Sequence, residues 1–585
     1  REIAERKMTI GDYPGALTVL KKALDRDPSQ PMIWNMFGVA QFRLGHFSEA
    51  EVSLEHALAI KSNQTESLIN LGNLAQYLGQ LERAELKYQE ALAHNQNNLN
   101  ALTNLGRLYY LRGSLEEARA SLQRALTINP NFEPAWNNLA NAELSIGEHT
   151  AALDIFNKLI DRNFQNIQAH SNLCLSLNYS AARKKQSFEY HRRFGLAARA
   201  LKSNVNSHRF ENSVQKLRIG YVSPDFNTHS VSYFFEPLIR AHDRSKVEVF
   251  CYYNNGIVDT TTKRIQMHAD HWRPIIGQTD DQVIEQIQKD GIHILVDLAG
   301  HTDKNNLTVF ARKPAPIQVT WLGYPNTTGL DTIDYRFTDE ITDPVGDSEQ
   351  YHTETLVRLP DGIWCYNGNN RIEPSRVMPY EKNGYITFGS FNNLAKVNPE
   401  VVKTWAEILR AVPNSKLFLK TKELKDDSTR QSLLDRFEDE GIDLDRVLLE
   451  QFAPSQQQHL DLYGEVDIAL DTFPFNGATT TCEAMWMGVP VITLRGDRHV
   501  ARVGASLLHR VGLDQFIAES REDYIKKAIE FAQDTHNLKM LRQNMREQVQ
   551  ASPLCNETQF AKTIEENYQT MWESFQVERN KTENI

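Results

Sequence analysis

The sequence predicts an α plus α/β protein, in which a helical repeat domain is followed by two consecutive α/β units. Three observations predict this class: small residues recur every 34 positions in the first third, short apolar runs alternate with helix-period segments in the remainder, and a polar stretch separates the two parts. The 585 residues have room for about four domain-sized units. With 41% apolar and 24% charged residues, the composition excludes a disordered or collagen-like chain.

The repeat is visible in columns of identical residues spaced 34 positions apart. The clearest columns are Gly11, Gly45, Gly79, Gly113 and Gly147, then Ala16, Ala50, Ala84, Ala118 and Ala152, and then Gly38, Gly72 and Gly106. Small residues allow paired helices to approach closely, and each helix pair must stack on its neighbours to bury its apolar face. The period and the columns resemble the tetratricopeptide repeat, with full repeats at 31–64, 65–98, 99–132 and 133–166. We therefore expect a tetratricopeptide-repeat superhelix with capping helices over residues 1–200.

Asparagines recur on the first helix of successive repeats, and two interpretations stay open for them. They are Asn70, Asn104, Asn137, Asn138 and Asn172. Their side-chain amides could pair with the backbone of an extended peptide on the concave face, whatever the sequence of that peptide. They could equally cap or bridge the helices of the repeats themselves.

The second part follows a polar linker at 201–216 and alternates β-like runs with helical segments. The predicted strands are Leu217–Val222, Val247–Tyr253, Ile292–Leu298, Ile317–Leu322 and Ile333–Phe337 in a first series, and Tyr385–Phe391, Lys416–Leu419, Arg446–Phe452, Asp467–Leu470 and Val489–Leu494 in a second. This alternation is typical of βαβ units in largely parallel sheets, which bind ligands at the carboxyl ends of their strands. We predict one lobe over 217–375 and a second lobe, which includes the terminal helices, over 376–585.

Net charge, hydropathy and cysteine content indicate which binding partners and which cellular compartment the sequence favours. The formal net charge is −11, which disfavours a nucleic-acid binder because such proteins usually carry a basic field. No run of about 18 apolar residues occurs, so no membrane span is predicted. The five cysteines are scattered without a CxxC pair, which is typical of a reducing compartment. Because the chain starts at Arg1 without a signal peptide, we expect a fragment of a cytoplasmic protein.

One candidate anion-binding element is the loop 388–396, with the sequence Phe-Gly-Ser-Phe-Asn-Asn-Leu-Ala-Lys. The loop leaves a buried strand and precedes a helix that Asn398 and Pro399 open. Lys396, which follows flexible polar residues such as Asn393, could meet a diphosphate as a compact cation. The alternative is a solvated loop lysine.

A second candidate element is the stretch 471–484, in which a strand ends, a turn follows at Gly477, and three threonines open a helix. The threonines are Thr479, Thr480 and Thr481. Their hydroxyls, the free N–H groups and the positive end of the helix dipole would converge on one point. That arrangement suits a phosphate, although threonine is also an ordinary N-cap residue. Glu483 lies one turn into the helix and could accept hydrogen bonds from ribose hydroxyls.

Two histidines follow strand ends of the first series, where catalytic residues gather in α/β folds. His229 lies in the loop 223–230, with the sequence Ser-Pro-Asp-Phe-Asn-Thr-His-Ser, and could act as a general base or orient the acceptor or the leaving phosphate. A lone loop histidine is more often merely hydrogen-bonded. His301, which follows the predicted strand Ile292–Leu298, is the rival candidate.

Motifs for other kinds of nucleotide and metal chemistry are missing from the sequence. It contains neither a GxxxxGK[ST] loop nor an HExxH helix, and the DxD at Asp443 and Asp445 lies in a charged segment that we interpret as solvated. Lys396 and the start of the threonine helix would meet the charge of a pyrophosphate instead. We therefore predict no metal and no cofactor.

Four strings resemble the cytoplasmic protein O-glycosyltransferases, the family of animal-type O-GlcNAc transferase, plant-type SPINDLY and their bacterial relatives. The strings lie at 217–226 (LRIGYVSPDF), 312–325 (RKPAPIQVTWLGYP), 392–396 (NNLAK) and 471–483 (DTFPFNGATTTCE). Together with the repeats, the resemblance covers essentially the whole chain. It implies a two-lobed GT-B glycosyltransferase of two Rossmann-like domains, inverting and metal-independent, whose second lobe holds most of the nucleotide.

The residues and the resemblance together predict a nucleotide-sugar site and two catalytic residues, His229 and Lys396. The predicted binding residues are Asn393, Lys396, His459, Gly477, Thr479, Thr480, Thr481, Glu483, Leu322 and Gly323. By resemblance, Lys396 matches the pyrophosphate-binding lysine of the family, and His229 matches its active-site histidine. Glu483 takes the place of the ribose-binding acid, and His459 is similar to the histidine beside the nucleobase. Leu322 and the glycine after it match part of the sugar pocket.

Differences from the animal enzyme bear on the donor. That enzyme has Gln and Tyr where this chain has Asn393 and Ala395, and a histidine where this chain has Ala478. In each case this sequence is similar to SPINDLY, which favours GDP-fucose slightly over UDP-GlcNAc. We predict sugar transfer to Ser/Thr hydroxyls of intracellular proteins bound through the repeat superhelix, and a homodimer through the repeats stays open. The alternative is a catalytically inactive repeat scaffold for protein–protein interaction.

Overall fold

The computed structural model describes residues 1–201, 215–451 and 453–583. Within these ranges the chain forms a helical solenoid and two parallel sheets flanked by helices. Most of the predicted linker at 201–216 lies outside the described residues, as does Phe452 at the end of a predicted strand. In the described ranges, no helix combines the length and the apolar character that a membrane crossing requires.

The solenoid consists of consecutive helix pairs whose bounds follow the 34-residue period. Its helices are α1 (Glu2–Thr9), α2 (Tyr13–Arg26), α3 (Pro31–Arg43), α4 (Phe47–Ile60), α5 (Thr65–Tyr77), α6 (Leu81–His94), α7 (Leu99–Arg112), α8 (Leu115–Ile128), α9 (Glu133–Ile146), α10 (His149–Arg162), α11 (Ile167–Ser176) and α12 (Lys184–Ala198). The pairs α3/α4, α5/α6, α7/α8 and α9/α10 fall within the four predicted repeats. The last pair, α11 and α12, continues the stacking with a longer connection between its helices.

Glycines hold the helices of each pair close together and shape the turns. A Cβ atom at Gly72 in α5 would lie 2.5 Å from the ring of Tyr88 in α6, so only glycine fits there. The turn between α7 and α8 passes through Gly113, whose φ of 78° belongs to the left-handed region that glycine adopts at little cost. The columns of the sequence therefore mark the contacts and turns that define the repeat.

Two of the recurring asparagines bond to asparagines of the preceding repeat. Asn70 donates to Oδ1 of Asn35 at 2.9 Å, and Asn104 donates to Oδ1 of Asn73 at 2.9 Å. For these two residues the structure favours the interpretation that the amides bridge helices, one of the two that the sequence left open.

The first lobe contains a seven-stranded parallel sheet. Its strands are β1 (Leu217–Ser223), β2 (Val247–Tyr253), β3 (His271–Pro274), β4 (Ile294–Asp297), β5 (Ile317–Thr320), β6 (Tyr335–Thr338) and β7 (Thr355–Arg358), and its helices are α13 (Ser230–Ala241), α14 (Thr260–His268), α15 (Asp280–Asp290) and α16 (Leu307–Phe310). The strand order is β3-β2-β1-β4-β5-β6-β7. The five predicted strands form, but the sequence does not predict the edge strands β3 and β7. Both are short and only partly buried, so neither is an apolar run.

The second lobe contains a six-stranded parallel sheet. Its strands are β8 (Thr387–Ser390), β9 (Lys416–Lys420), β10 (Val447–Glu450), β11 (Ile468–Leu470), β12 (Val491–Leu494) and β13 (Ile517–Ala518), and its helices are α17 (Pro379–Asn383), α18 (Pro399–Ala411), α19 (Asp427–Asp439), α20 (Gln456–Asp461), α21 (Thr479–Trp486), α22 (Val503–Val511), α23 (Arg521–Gln533) and α24 (Thr535–Ala551). The strand order is β10-β9-β8-β11-β12-β13. All five predicted strands of this series form, and the two-residue strand β13 is the addition.

The last helix, α25 (Glu557–Glu583), packs against the first lobe. The hydroxyl of Tyr568 lies 3.2 Å from that of Tyr221 in β1, and Glu565 accepts a hydrogen bond from His242 at 2.9 Å. All four side chains are buried. The prediction that the terminal helices belong to the second lobe is therefore wrong for α25. An amphipathic helix packs on whichever apolar surface is open to it, and its own sequence does not identify that surface.

The end of the solenoid contacts both lobes. Ser171 of α11 bonds to Nδ1 of His301 in the first lobe at 3.0 Å. Arg436 of α19, in the second lobe, donates to the carbonyl oxygen of Ile146 at the end of α9, at 3.2 Å. Because the repeats contact both lobes, the solenoid forms a third wall beside the cleft between the lobes.

Candidate active site

The cleft between the lobes is lined by elements that follow the strands of both sheets. In each sheet the strand order reverses beside the first strand, between β1 and β4 and between β8 and β11, and ligands bind at such switch points. Burial raises the pKa of Tyr233 in α13 to about 12, and the charge of Glu483 in α21 across the cleft acts in the same direction. Burial also raises the pKa of Tyr110 in α7, with contributions from Asp303 of the first lobe and Glu423 of the second. Tyr110 therefore lies close to both lobes.

Lys396 lies where the loop after β8 meets the loop after β11. These strands are neighbours, so the loops that follow them lie together. Its Nζ donates to the carbonyl oxygen of Asn476 at 2.8 Å and lies 4.1 Å from the centre of the Phe475 ring. Burial lowers the pKa of Lys396 to about 8, and the nearby charge of Asp471 opposes that effect. The lysine is thus a partly buried cation beside the start of α21 and not a solvated loop residue.

The start of α21 presents backbone N–H groups near this ammonium. Ala478 precedes the helix, and no side chain among the described residues caps it. The first N–H groups of α21 therefore have no partner within the helix, and they carry the positive end of its dipole. Thr479 and Thr480 are partly buried here, and Oγ1 of Thr480 lies 3.1 Å from Oδ1 of Asn392 in the lysine loop. The structure thus brings the two predicted anion-binding elements together.

The third threonine faces a different direction. Thr481 is buried, and its hydroxyl donates to the carbonyl oxygen of Gly477 at 3.0 Å. The expectation that three hydroxyls converge on one point is therefore wrong for Thr481. A threonine hydroxyl in a helix can bond back to the carbonyl four residues earlier, and that competing bond is the one formed here.

Gly477 leaves no room for a side chain between the two loops. A Cβ atom there would lie 2.4 Å from Oγ1 of Thr480 and 2.9 Å from Oδ1 of Asn392. We expect Gly477→Ala to displace one loop and to weaken the binding of a nucleoside diphosphate at least about tenfold, measured by calorimetric titration. Gly464→Ala is the matched control, since a Cβ atom there meets only Ser375 at 3.4 Å. Equal affinity in the two variants would contradict the prediction.

A row of three polar side chains lies beside this helix start. Nε2 of His459 donates to Glu483 at 2.8 Å, and Nζ of Lys420 donates to Nδ1 of His459. The row therefore places the proton of a neutral His459 on Nε2. Lys420 ends β9, is buried, and has a pKa lowered by that burial. Sequence reasoning missed Lys420, although a lysine at the end of a buried strand is an unusual residue that could have identified it.

Asn393 shapes the lysine loop. Its Oδ1 accepts a hydrogen bond from the N–H of Ala395 at 2.9 Å and so caps the 3₁₀ turn Leu394–Lys396. The residue is exposed at the surface of the loop. The structure thus gives Asn393 a local role in holding the turn that carries Lys396, and a contact with a nucleotide sugar stays a prediction.

His229 caps α13 at the carboxyl end of β1. Its Nδ1 lies 3.3 Å from the N–H of Val231 and 3.6 Å from Oδ2 of Asp225. The histidine side chain is 46% exposed, whereas that of Asp225 is 15% exposed. Burial raises the pKa of Asp225, and the neighbouring His229 opposes that effect. The imidazole is therefore accessible, and the N–H of Val231, which donates to Nδ1, holds the ring in place.

Leu322 carries backbone strain just after β5. Its φ is 74°, a value that a bulky residue rarely adopts. The N–H of Gly323 donates to the carbonyl oxygen of Trp321 at 3.0 Å, which closes a tight three-residue turn. A Cβ atom at Gly323 would lie 1.9 Å from the carbonyl oxygen of Leu298. Strain of this kind gathers at functional sites, so the turn is a candidate for ligand contact.

His301 belongs to the contact between the solenoid and the first lobe. Its Nδ1 accepts a hydrogen bond from Ser171 at 3.0 Å, and its Nε2 donates to the carbonyl oxygen of Thr328 at 2.9 Å. The ring is buried beside that of His191, and burial lowers the pKa of His301 far below its usual value. The interpretation of His301 as the rival of His229 is therefore wrong. A position after a strand does not reveal which other element will cover it.

Comparison with known proteins identifies the family. A profile of glycosyl transferase family 41 matches residues 167–372 and 369–564. The chain belongs to glycosyl transferase family 41. The first matched segment of family 41 begins at the first residue of α11, so the profile includes the last helix pair of the solenoid. Profiles described as tetratricopeptide repeats match residues 1–64, 69–131 and 110–173.

The chain is similar to plant proteins named SPINDLY. The chain is 42% identical over 424 residues to a protein of Petunia hybrida named probable UDP-N-acetylglucosamine–peptide N-acetylglucosaminyltransferase SPINDLY, and 41% identical over 422 residues to the protein of that name from Arabidopsis thaliana. Each alignment covers 71% of this chain but only 45% and 46% of the respective plant proteins. The chain therefore spans about half the length of these relatives.

A solved structure also matches nearly the whole chain. A mutant of the O-GlcNAc transferase of Thermobaculum terrenum superposes with a TM-score of 0.82 at 32% identity, covering 88% of this chain and 98% of that one. Together with the family 41 and repeat profiles, the match confirms the predicted fold class, a tetratricopeptide-repeat superhelix followed by a two-lobed GT-B unit. The roles of the individual site residues stay predictions.

Proposed function

We propose that this chain is a protein O-glycosyltransferase, which transfers a sugar from a nucleoside-diphosphate sugar to Ser or Thr hydroxyls of proteins. The observation that carries the proposal is the convergence of Lys396 with the start of α21. The ammonium lies 2.8 Å from the carbonyl oxygen of Asn476, three residues before the helix begins, and the helix start has no side-chain cap among the described residues. A cation and open N–H groups together suit a diphosphate. Membership of family 41 supports the same reaction.

The second lobe holds the donor in this proposal. Lys396 and the first N–H groups of α21, near Thr479 and Thr480, bind the diphosphate. Glu483 accepts hydrogen bonds from the ribose hydroxyls, and His459 lies beside the nucleobase. The hydrogen bond from His459 to Glu483 would hold that carboxylate in place for the ribose.

The proposed reaction is a single displacement with inversion at the anomeric carbon. The acceptor hydroxyl oxygen forms a bond to that carbon while the bond to the diphosphate oxygen breaks, and the bonding electron pair leaves with the diphosphate. The hydroxyl proton passes to a base, for which His229 is our candidate. Lys396 and the start of α21 meet the negative charge that develops on the leaving group, so the proposal includes no metal and no cofactor.

We propose GDP-fucose as the donor, with UDP-GlcNAc as a close second candidate. Asn393 and Ala395 in the lysine loop, and Ala478 before the threonines, match SPINDLY and differ from the animal enzyme. The plant relatives at 41% and 42% identity carry UDP-N-acetylglucosamine in their names, which keeps the second candidate open. The two donors differ in both nucleobase and sugar, so binding experiments can separate them.

Protein acceptors reach the cleft along the solenoid in this proposal. The end of the solenoid contacts both lobes, through Ser171 and Ile146, so a segment bound to the repeats would lie close to the cleft. A homodimer through the repeats stays a prediction. All five cysteines, which lie within the described ranges, are unpaired thiols, and we propose action in the reducing environment of the cytoplasm.

A panel of nucleotides tests the donor. We expect GDP, GDP-fucose, UDP and UDP-GlcNAc to differ in how strongly they raise the unfolding temperature, with the GDP pair giving the larger rise. A ligand at a hundredfold excess over its Kd adds about 2.7 kcal/mol to the free energy of unfolding. ADP is the control that shares the diphosphate but not the nucleobase. A larger rise with the UDP pair would reverse the choice of donor.

Transfer itself is measured with labelled donor and a peptide that contains Ser and Thr. We expect the label to appear in the peptide with the preferred donor. When the peptide is left out, the donor should be hydrolysed to free sugar more slowly than the sugar is transferred to the peptide. If no nucleotide raises the unfolding temperature and neither transfer nor donor hydrolysis occurs, the enzyme proposal fails. The inactive repeat scaffold would then be the better description.

A further inference from the structure

A solenoid side chain bonds directly to the lysine loop. His149 begins α10, and its Nε2 donates to the carbonyl oxygen of Ala395 at 2.7 Å. Ala395 is buried and immediately precedes Lys396 in the 3₁₀ turn Leu394–Lys396. Burial lowers the pKa of His149, so the neutral ring, with its proton on Nε2, makes this bond. The solenoid therefore fixes a peptide carbonyl one residue away from the cation of the site.

A second solenoid side chain contacts the other loop beside Lys396. Tyr179 lies in the connection between α11 and α12, and its ring centre is 4.8 Å from that of Phe475. The Lys396 ammonium lies 4.1 Å from the centre of the same Phe475 ring. The rings of His149 and Tyr179 are themselves 6.1 Å apart. His149 thus contacts the loop that carries Lys396, and Tyr179 contacts the loop after β11 that lies beside the ammonium.

Both solenoid side chains lie on segments that are anchored to the second lobe. Arg498 donates to the carbonyl oxygen of Leu177 at 3.2 Å and also to that of Ser180, which fixes the connection that carries Tyr179. Arg436 of α19 donates to the carbonyl oxygen of Ile146, three residues before His149, at 3.2 Å. These contacts keep the solenoid end in one position relative to the lysine loop.

We propose that His149 and Tyr179 are positioning residues of the donor site, so that the end of the solenoid forms part of it. The inference rests on the proposed function. His149 holds the Ala395 carbonyl and thereby the turn that directs Lys396, while Tyr179 supports the Phe475 ring under the ammonium. Both residues act through Lys396. The repeats that bind the acceptor would then also position the cation that meets the leaving diphosphate.

Removing the imidazole leaves a buried carbonyl without its donor. Such a group is expensive to leave unsatisfied, so the turn would shift to find another partner and would carry Lys396 with it. We expect His149→Ala to bind the preferred nucleoside diphosphate about tenfold more weakly and to raise the KM for the donor by a similar factor. Affinity for the corresponding nucleoside monophosphate should change little, because it lacks the phosphate that the lysine meets.

The experiment compares full-length variants by calorimetric titration with GDP, UDP and their monophosphates, and by donor kinetics. His149→Gln should restore most of the affinity, since its side-chain amide can still donate to Ala395. Tyr179→Leu should weaken diphosphate binding in the same direction as His149→Ala. Adding His149→Ala to Lys396→Met should cause no further loss, because both changes act on the same ammonium.

Two control variants separate this contact from general damage to the solenoid. His170→Ala removes a bond from Nε2 to the carbonyl oxygen of Phe164, 3.1 Å long, that lies wholly within the repeats. Glu148→Gln removes the ion pair with Arg436 and leaves the His149 bond in place. Both should bind nucleoside diphosphates like the wild type.

The outcomes distinguish the inference from the function on which it rests. Wild-type affinity in a folded His149→Ala variant would overturn the inference, and so would an equal loss in Glu148→Gln. If His149→Ala fails to fold, His149→Gln and Tyr179→Leu decide, since wild-type affinity in Tyr179→Leu would overturn the role of the ring contact. If the wild type itself binds neither GDP nor UDP, the proposed function fails, and this inference fails with it.

Discussion

Replacing Lys396 with methionine will lower the rate of sugar transfer by at least about a hundredfold while the protein stays folded. Negative charge develops on the diphosphate as its bond to the sugar breaks, and the ammonium of Lys396 is fixed beside Asn476 where that charge would form. Removing one preorganised group of this kind typically costs about 10² to 10³ in rate. Methionine keeps an apolar stem to pack on Phe475. Turnover of labelled donor with a Ser/Thr peptide, at saturating donor, measures the loss.

The same substitution is expected to stabilise the protein when no nucleotide is bound. Burial lowers the pKa of Lys396 to about 8, below its ordinary value, so the folded state disfavours the charged form. This unfavourable contribution is fully present below about pH 8 and disappears as the pH rises toward the ordinary lysine pKa of about 10.4. At about 1.4 kcal/mol for each pKa unit, the shift from about 10.4 to about 8 corresponds to about 3 kcal/mol, and the gain of Lys396→Met in free energy of unfolding is smaller than this because the substitution also removes the hydrogen bond to Asn476. Chemical denaturation at neutral pH measures it.

The pH dependence of nucleoside-diphosphate binding gives an independent test of the role of the Lys396 ammonium. Because the pKa of Lys396 is about 8, the free protein loses this positive charge as the pH rises through that value. Affinity for the nucleoside diphosphate should therefore fall between about pH 7 and pH 9 in the wild type, and Lys396→Met should lack that fall. A bound diphosphate would favour the charged lysine and move the loss of its proton to higher pH.

An exposed lysine of the next helix supplies the control for these experiments. Lys403 lies on the exposed side of α18, which begins three residues after Lys396. Lys403→Met makes the same chemical change and should leave turnover, stability and pH dependence close to the wild type. Near wild-type turnover in Lys396→Met would remove this lysine from the mechanism and with it the main support for the diphosphate site.

The solenoid and the central strands could be predicted because their sequence signals are local. The 34-residue columns record contacts inside one helix pair, such as Gly72 against the ring of Tyr88. Buried strands such as Val247–Tyr253 are apolar at every position except Glu248. The proximity of Lys396 to the start of α21 could also be predicted, because loops that follow neighbouring parallel strands must lie together.

The features that sequence reasoning missed depend on contacts between distant segments. His301 has the sequence neighbours of an open loop, but Ser171 of the solenoid covers it from 130 residues away. His149 bonds to Ala395 across a separation of 246 residues. α25 returns to the first lobe, where the partner of Tyr568 lies 347 residues earlier. Such contacts depend on how the solenoid and the two lobes pack against one another, and no short-range sequence pattern encodes that packing.

The second large effect is expected at His229, where we propose that the acceptor proton is taken up. Ser and Thr hydroxyls are poor nucleophiles, so a group must accept the proton as the new bond to the anomeric carbon forms. His229 is accessible at the carboxyl end of β1, and its Nδ1 lies 3.6 Å from Oδ2 of Asp225. Nδ1 accepts a hydrogen bond from the N–H of Val231, so in the neutral ring Nδ1 is the basic nitrogen and Nε2 carries the proton.

We expect His229→Ala to lower turnover by at least about a hundredfold, because general bases typically contribute about 10² to 10⁴ in rate. Affinity for the nucleotide should change little, since the donor contacts that we propose lie in the second lobe. His509→Ala is the matched control: it removes another exposed histidine paired with an aspartate, Asp514, at 2.7 Å. That variant should keep wild-type turnover.

His229→Phe separates proton transfer from shape. A phenyl ring fills nearly the same volume but cannot accept a proton, so this variant should be as slow as His229→Ala if His229 is the base. Partial activity in the phenylalanine variant alone would mean that the ring only orients the acceptor. A loss of nucleotide affinity in His229→Ala would make the residue a donor ligand instead. Full activity in both variants would transfer the role of base to another group, with the leaving diphosphate itself as the next candidate, because the structure has already placed His301 in the contact with the solenoid.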